Sequence, residues 1–153
     1  MMDKSTLTSL SEDTIDSHGH RENTGKTKVL LVDDHYIIRR GLCELLDQQA
    51  GFAIGAVVGN GPQALEAARQ EAFDLALVDI SLGEMDGIEL TRKLKAEHPD
   101  LIVLILSMHD ESLYASRAAQ AGASGFVAKQ RAGEALLPAI ERVLKGGYYF
   151  SQI

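Results

Sequence analysis

Two hydrophobic periods alternate along this chain. Short, nearly continuous apolar runs at residues 28–32, 52–58, 75–79, 101–107 and 126–129 read as buried strands. Between them, apolar residues recur every third or fourth position, as on one face of a helix. Ile38, Leu42, Leu45 and Leu46 mark the first such face. Gly61-Pro62 opens a second helix, to about residue 71, because proline suits the first helical turn. Asp86 with Glu89 forms a capping-box-like start for a third helix, which turns Ile88, Thr91 and Leu94 inward and ends before Pro99. Asp110 caps a fourth helix to about residue 121, where Gly122 ends it. Leu136, Leu137, Ile140, Val143 and Leu144 mark a fifth. Pro138 lies close to its start, so it removes one hydrogen bond without breaking the helix. Strand and helix in regular alternation predict a parallel sheet covered on both faces.

The first 27 residues break this regularity. They are polar, carry no lasting period and cannot bury enough surface to offset their ordering entropy, so a disordered tail is expected there. The tail lacks the apolar segment of a secretory signal, and the longest strongly apolar run, residues 101–106, is far too short to span a bilayer. A soluble, cytoplasmic protein without membrane contact is predicted. One folded domain is expected over residues 28–147, with residues 148–153 beginning a linker or tail. A net charge of −7 argues against direct nucleic-acid binding by this chain, since phosphate backbones are captured by clustered Lys and Arg. Cys43, the single cysteine, sits among helical leucines and reads as a small buried thiol.

The chemistry collects where strands should stop. Asp33 and Asp34 follow the first apolar run, Asp79 ends the third, Ser107 ends the fourth and Lys129 ends the fifth. In open parallel sheets, ligands bind just outside the carboxyl ends of the strands, so these residues should converge. Two unit charges about 4 Å apart repel by roughly 4 kcal/mol at an effective dielectric of 20, and three carboxylates therefore demand shifted protonation or a cation. Hard oxygen donors suit Mg²⁺, which shares its shell readily with phosphate oxygens. A carboxylate beside such a site can accept a phosphoryl group, and Asp79 is the candidate nucleophile. Lys129 would stabilise the transferring charge, and Ser107 would hydrogen-bond to the product and draw its loop inward.

The stretches Leu31-Val-Asp-Asp-His35, Asp79-Ile-Ser-Leu-Gly-Glu-Met-Asp-Gly87, Ser107-Met-His-Asp110 and Gly125-Phe-Val-Ala-Lys129 resemble the receiver domain of bacterial response regulators, most closely the NarL/LuxR (FixJ-type) group. The resemblance implies a flavodoxin-like, doubly wound α/β fold with five strands in the order 2-1-3-4-5 and five helices. It implies a two-component phosphoacceptor switch rather than an enzyme. A sensor histidine kinase or phosphotransfer protein would be the donor and Asp79 the acceptor, with Mg²⁺ held by Asp33, Asp34, Asp79 and the Ser81 backbone carbonyl. Ser107 and Phe126 would be the switch pair, and phosphorylation would promote a homodimer. Members of this group continue past a segment like Gly146-Gly-Tyr-Tyr-Phe-Ser151 into a helix-turn-helix domain. The expected output is therefore transcription through a DNA-binding domain outside this chain, and the alternative is a stand-alone or degenerate receiver serving as a protein scaffold. Gln130 and Gly83 stand where many receivers carry proline, which bears on loop geometry around Lys129 and Asp79.

Other readings fit less well. Gly25-Lys26-Thr27 lacks the earlier glycine of a phosphate-binding loop and precedes a strand instead of following one. A flavin phosphate would meet the repelling Asp33 and Asp34. A haloacid-dehalogenase-type phosphatase would show Asp-x-Asp-x-Thr where this chain has Asp33-Asp34-His35-Tyr36-Ile37. His109 reads as a surface loop residue, and His18 and His20 as adventitious metal binders in the tail.

Overall fold

The computed structural model describes residues 25–150, so most of the expected N-terminal tail lies outside the described residues. Five parallel strands, β1 (Thr27–Val32), β2 (Phe52–Val58), β3 (Leu75–Asp79), β4 (Ile102–Ser107) and β5 (Gly125–Ala128), form one sheet in the order β2-β1-β3-β4-β5. The helices are α1 (Tyr36–Asp47), α2 (Gly61–Gln70), α3 (Gly87–Glu97), α4 (Glu111–Ala121) and α5 (Ala132–Leu144). This is the flavodoxin-like doubly wound order.

Strand alternation divides the core between the two faces. Leu30, Val32, Ala76, Val78, Val103, Ile105 and Phe126 pack with residues of α2, α3 and α4. Val29, Leu31, Leu75, Leu77, Leu104, Leu106 and Val127 pack with Leu42 and Leu46 of α1 and Leu136, Ile140 and Val143 of α5. Because both faces are covered, β3 is buried at every position.

Local signals set the helix ends. The Asn60 side chain accepts from the Gln63 amide at 2.9 Å, and Asp86 accepts from the Glu89 amide at 2.8 Å. Gly122 adopts φ +108° at the end of α4, which a residue with a side chain resists. Gly83 adopts φ +92°, a value closed to proline, and this explains the departure noted in the sequence.

Five details differ from expectation. Lys129 does not end β5 but opens a 3-10 turn, Lys129–Arg131, that leads directly into α5. Pro138 lies well inside α5 rather than near its start, and the helix runs through it. Cys43 is only half-buried. Gly55 is skipped in the β1–β2 pairing, where Val29 faces Ile54 and Leu30 faces Ala56, so β2 carries a bulge. The segment expected to begin a linker runs back beside β5: the Phe126 amide donates to the Tyr149 carbonyl and the Tyr149 amide to the Ser124 carbonyl, each at 2.9 Å.

Candidate functional site

Asp33 and Asp79 occupy their positions through sheet parity. Asp33 follows Val29 and Leu31 on one face, and Asp79 follows Leu75 and Leu77 on the same face of the adjacent strand. Both carboxylates are buried, at 0% and 1% exposure. Lys129 enters from the turn after β5, and its ammonium lies 2.7 Å from Asp33 Oδ2 and 3.0 Å from Asp79 Oδ2. Asp34 stands beside them, half-exposed at the mouth.

One cation for this many carboxylates leaves an excess of negative charge. Burial pushes the Asp79 carboxyl above its ordinary range. Lys129 and the Ser81 amide, which donates to Oδ1 at 3.1 Å, pull it back, and the Asp33 charge adds to the rise. A divalent cation would relieve the excess, and the oxygens of the three carboxylates fit one.

Ser107 ends β4 one residue beyond Leu106, the register partner of Asp79. It is fully buried, yet its hydroxyl is turned to its own loop, accepting from the His109 amide at 2.8 Å. By alternation Ser107 follows Val103 and Ile105, so it belongs to the face that holds Phe126, the register partner of Ile105. The structure thus brings Asp33, Asp34, Asp79 and Lys129 into contact and sets Ser107 and Phe126 on the other face. Ser81 is exposed, and its hydroxyl lies 3.3 Å from His109 Nε2. His109 also packs against Tyr114, with ring centroids 5.6 Å apart and planes tilted by 58°, as an exposed loop residue rather than a member of the acidic cluster.

His35 was not singled out in the sequence. Its Nδ1 lies 3.2 Å from Asp33 Oδ1, 3.2 Å from Asp34 Oδ1, 3.3 Å from Asp79 Oδ2 and 3.3 Å from Lys129 Nζ. The signal was an imidazole directly after a carboxylate pair at a strand end. The backbone fixes it there, because the His35 amide donates to Asp33 Oδ1 at 2.7 Å and the residue sits at the start of α1.

Comparison with known proteins agrees with this geometry. The profile of the response regulator receiver domain matches residues 29–141. A putative transcriptional regulator of Pseudomonas aeruginosa is 41% identical over 81% of this chain and 59% of its own length. The transcriptional regulatory protein DegU of Brevibacillus brevis is 34% identical over 83% of this chain and 54% of its own. The crystal structure of a LuxR-family two-component response regulator from Aurantimonas superposes with a TM-score of 0.77 at 34% identity, covering 81% of this chain and 89% of that one. This chain therefore spans little more than half the length of the curated relatives it matches. Among the described residues no helix is long and apolar enough to cross a membrane. With an acidic pocket closed by a buried lysine at the carboxyl rim of a 2-1-3-4-5 sheet, and with the profile matched over residues 29–141, the chain belongs to the response regulator receiver domain family.

Proposed function

We propose that this chain is a cytoplasmic phosphoacceptor switch in which Asp79 takes a phosphoryl group from a phosphohistidine of a sensor kinase or phosphotransfer protein. The observation that carries the reading is the buried Asp79 carboxylate, 3.0 Å from the Lys129 ammonium and flanked by Asp33 and Asp34. An Asp79 oxygen forms the new O–P bond as the N–P bond of the donor breaks, and the donor imidazole leaves with the electron pair and is then protonated. Asp33, Asp34, Asp79 and the Ser81 carbonyl would hold Mg²⁺, which when bound neutralises charge on the phosphoryl oxygens. Lys129, already paired with Asp79, holds the product from the other side. Ser107 exchanges its contact with the His109 amide for a phosphoryl oxygen, drawing the β4–α4 loop inward and opening space for Phe126 on the same face. The added charge of about −1.5 to −2 shifts an existing equilibrium between two states.

The output we assign is transcriptional, through a DNA-binding segment outside this chain and with self-association on phosphorylation. The named functions of the relatives and the share of their length matched here support it. The test is intact mass after incubation with a small-molecule phosphodonor and Mg²⁺, for wild type and Asp79→Asn, with size-exclusion of both. A single phosphoryl adduct absent from the variant is expected, with a size increase in the wild type alone. An adduct retained by the variant overturns Asp79, and Mg²⁺ binding without any adduct points instead to a degenerate receiver acting as a scaffold.

A further inference from the structure

His35 supplies a nitrogen where a receiver pocket otherwise offers oxygens. Four donor atoms, one each from Asp33, Asp34, His35 and Asp79, lie within 4.8 Å of one another. The His35 Nδ1 distances to the three carboxylate oxygens are 3.2, 3.2 and 3.3 Å. Donors bound to one ion at about 2.1 Å are roughly 3.0 Å apart along an octahedral edge and roughly 3.4 Å apart along a tetrahedral one. All three separations fall within that interval. The buried Oδ2 atoms of Asp33 and Asp79 share the Lys129 ammonium, at 2.7 and 3.0 Å, so two buried carboxylates divide one positive charge and the pocket keeps a net negative charge.

We propose that His35 is a fourth side-chain ligand of the cation site, and that its nitrogen gives the pocket a preference for borderline first-row divalent ions, such as Ni²⁺ and Zn²⁺, over Mg²⁺. Imidazole binds such ions well, whereas Mg²⁺ demands oxygen and releases its waters reluctantly. The ring is half-exposed, so an ion can reach Nδ1 from solvent. An ion held in this way occupies the same oxygens that Mg²⁺ needs, so acceptance of a phosphoryl group would depend on which metal fills the pocket. The proposal rests on the cation-site reading above and adds to it the ligand that selects the metal.

The test is calorimetric titration of the full chain with Ni²⁺ and, separately, with Mg²⁺. All proteins carry His18→Ala and His20→Ala, which removes the imidazoles of the tail. His35→Ala is expected to lower Ni²⁺ affinity by roughly 10- to 100-fold, while Mg²⁺ affinity stays within about twofold. His35→Asn, which retains a side chain able to start α1, should show the same split and guards against loss through unfolding. Equal losses for both ions would make His35 a residue that only positions the carboxylates. A gain for both would make its ring a counter-charge displaced by metal, and either result overturns the proposal. A wild type that binds Mg²⁺ without preferring Ni²⁺ overturns His35 as a ligand alone. One that binds neither ion overturns the cation site itself, and His35 with it.

Discussion

The bodies of β1 and β3 and the ends of the same strands are equally buried and opposite in energetic sign. Val29, Leu31, Leu75 and Leu77 are 0% exposed, and so, within 1%, are Asp33 and Asp79 on the same face. Removing an aliphatic side chain from water stabilises the fold by about 25 cal/mol per Å² of apolar surface. Removing a carboxylate costs free energy unless a partner compensates, and a single lysine is shared between two buried carboxylates here. Burial therefore holds the sheet together at one position and loads the site with uncompensated charge two residues later. The burial of the strand bodies offsets what the charged rim costs.

The largest effect should come from the strand bodies. Leu31→Ala leaves a cavity against α1 and α5 and is expected to cost about 2–5 kcal/mol in a denaturant melt. A loss below 1 kcal/mol would mean that the sheet does not carry the rim. Gly87→Ala tests the joint between body and rim. A Cβ there would overlap the Asp79 carbonyl oxygen and lie 2.7 Å from Ile80 Cα, against backbone that cannot yield as a side chain would. Roughly 1–3 kcal/mol of destabilisation is expected, with a slower gain of the phosphoryl adduct because the Asp79 backbone must shift. Unchanged stability and rate would show that α3 can start farther from β3.

Asp79→Asn should have the opposite sign. The folded carboxyl is raised above its unfolded value, so the native state binds the extra proton in that window. Stability then falls as pH rises through the folded value, and the ionised group remains a cost at neutral pH. In metal-free buffer at pH 7 the variant is expected to be more stable than wild type. The gain should vanish below the unfolded aspartate value, near pH 3.9. A variant less stable than wild type at pH 7 would mean that the Lys129 pairing outweighs burial.

How much of this was legible depends on the range over which each feature is decided. Apolar runs of five to seven residues specify strands, so β2 and β3 fall where the pattern puts them, although only β3 is buried throughout and β2, at the sheet edge, stays partly exposed. Convergence of Asp33, Asp79 and Lys129 follows from parallel topology, which carries residues far apart in sequence to one rim. The neighbours of His35 depend on ring orientation, and one sequence position does not determine that. The bulge at Gly55 arises from pairing with β1, where Lys28 and Phe73 crowd the space a Cβ would take. Lys129 leaves the strand because α5 begins at Ala132, and the chain must turn within three residues. Tyr149 pairs with the edge of β5 at Gly125, where a side chain would meet its carbonyl oxygen, a contact visible only once both segments are folded.

The smallest effect belongs to a carboxylate that sharpens the contrast from outside the core. Glu97 of α3 accepts from Arg69 Nε at 3.0 Å and from Nη2 at 2.8 Å, an exposed two-point pair that links α3 to α2. The guanidinium holds the Glu97 carboxyl below its ordinary range. Its contribution is therefore complete above the unfolded glutamate value and is lost as pH falls through the folded one, the reverse of Asp79. Glu97→Gln should lower the melting temperature slightly at pH 7 and not at all once both states are protonated. High salt should shrink even the neutral-pH difference, because exposed pairs are screened. A deficit as large as that of Leu31→Ala, or one indifferent to salt, would show that this pair acts through packing of the arginine stem and not through charge. The two carboxylates would then differ in what their side chains touch as well as in the sign of their titration.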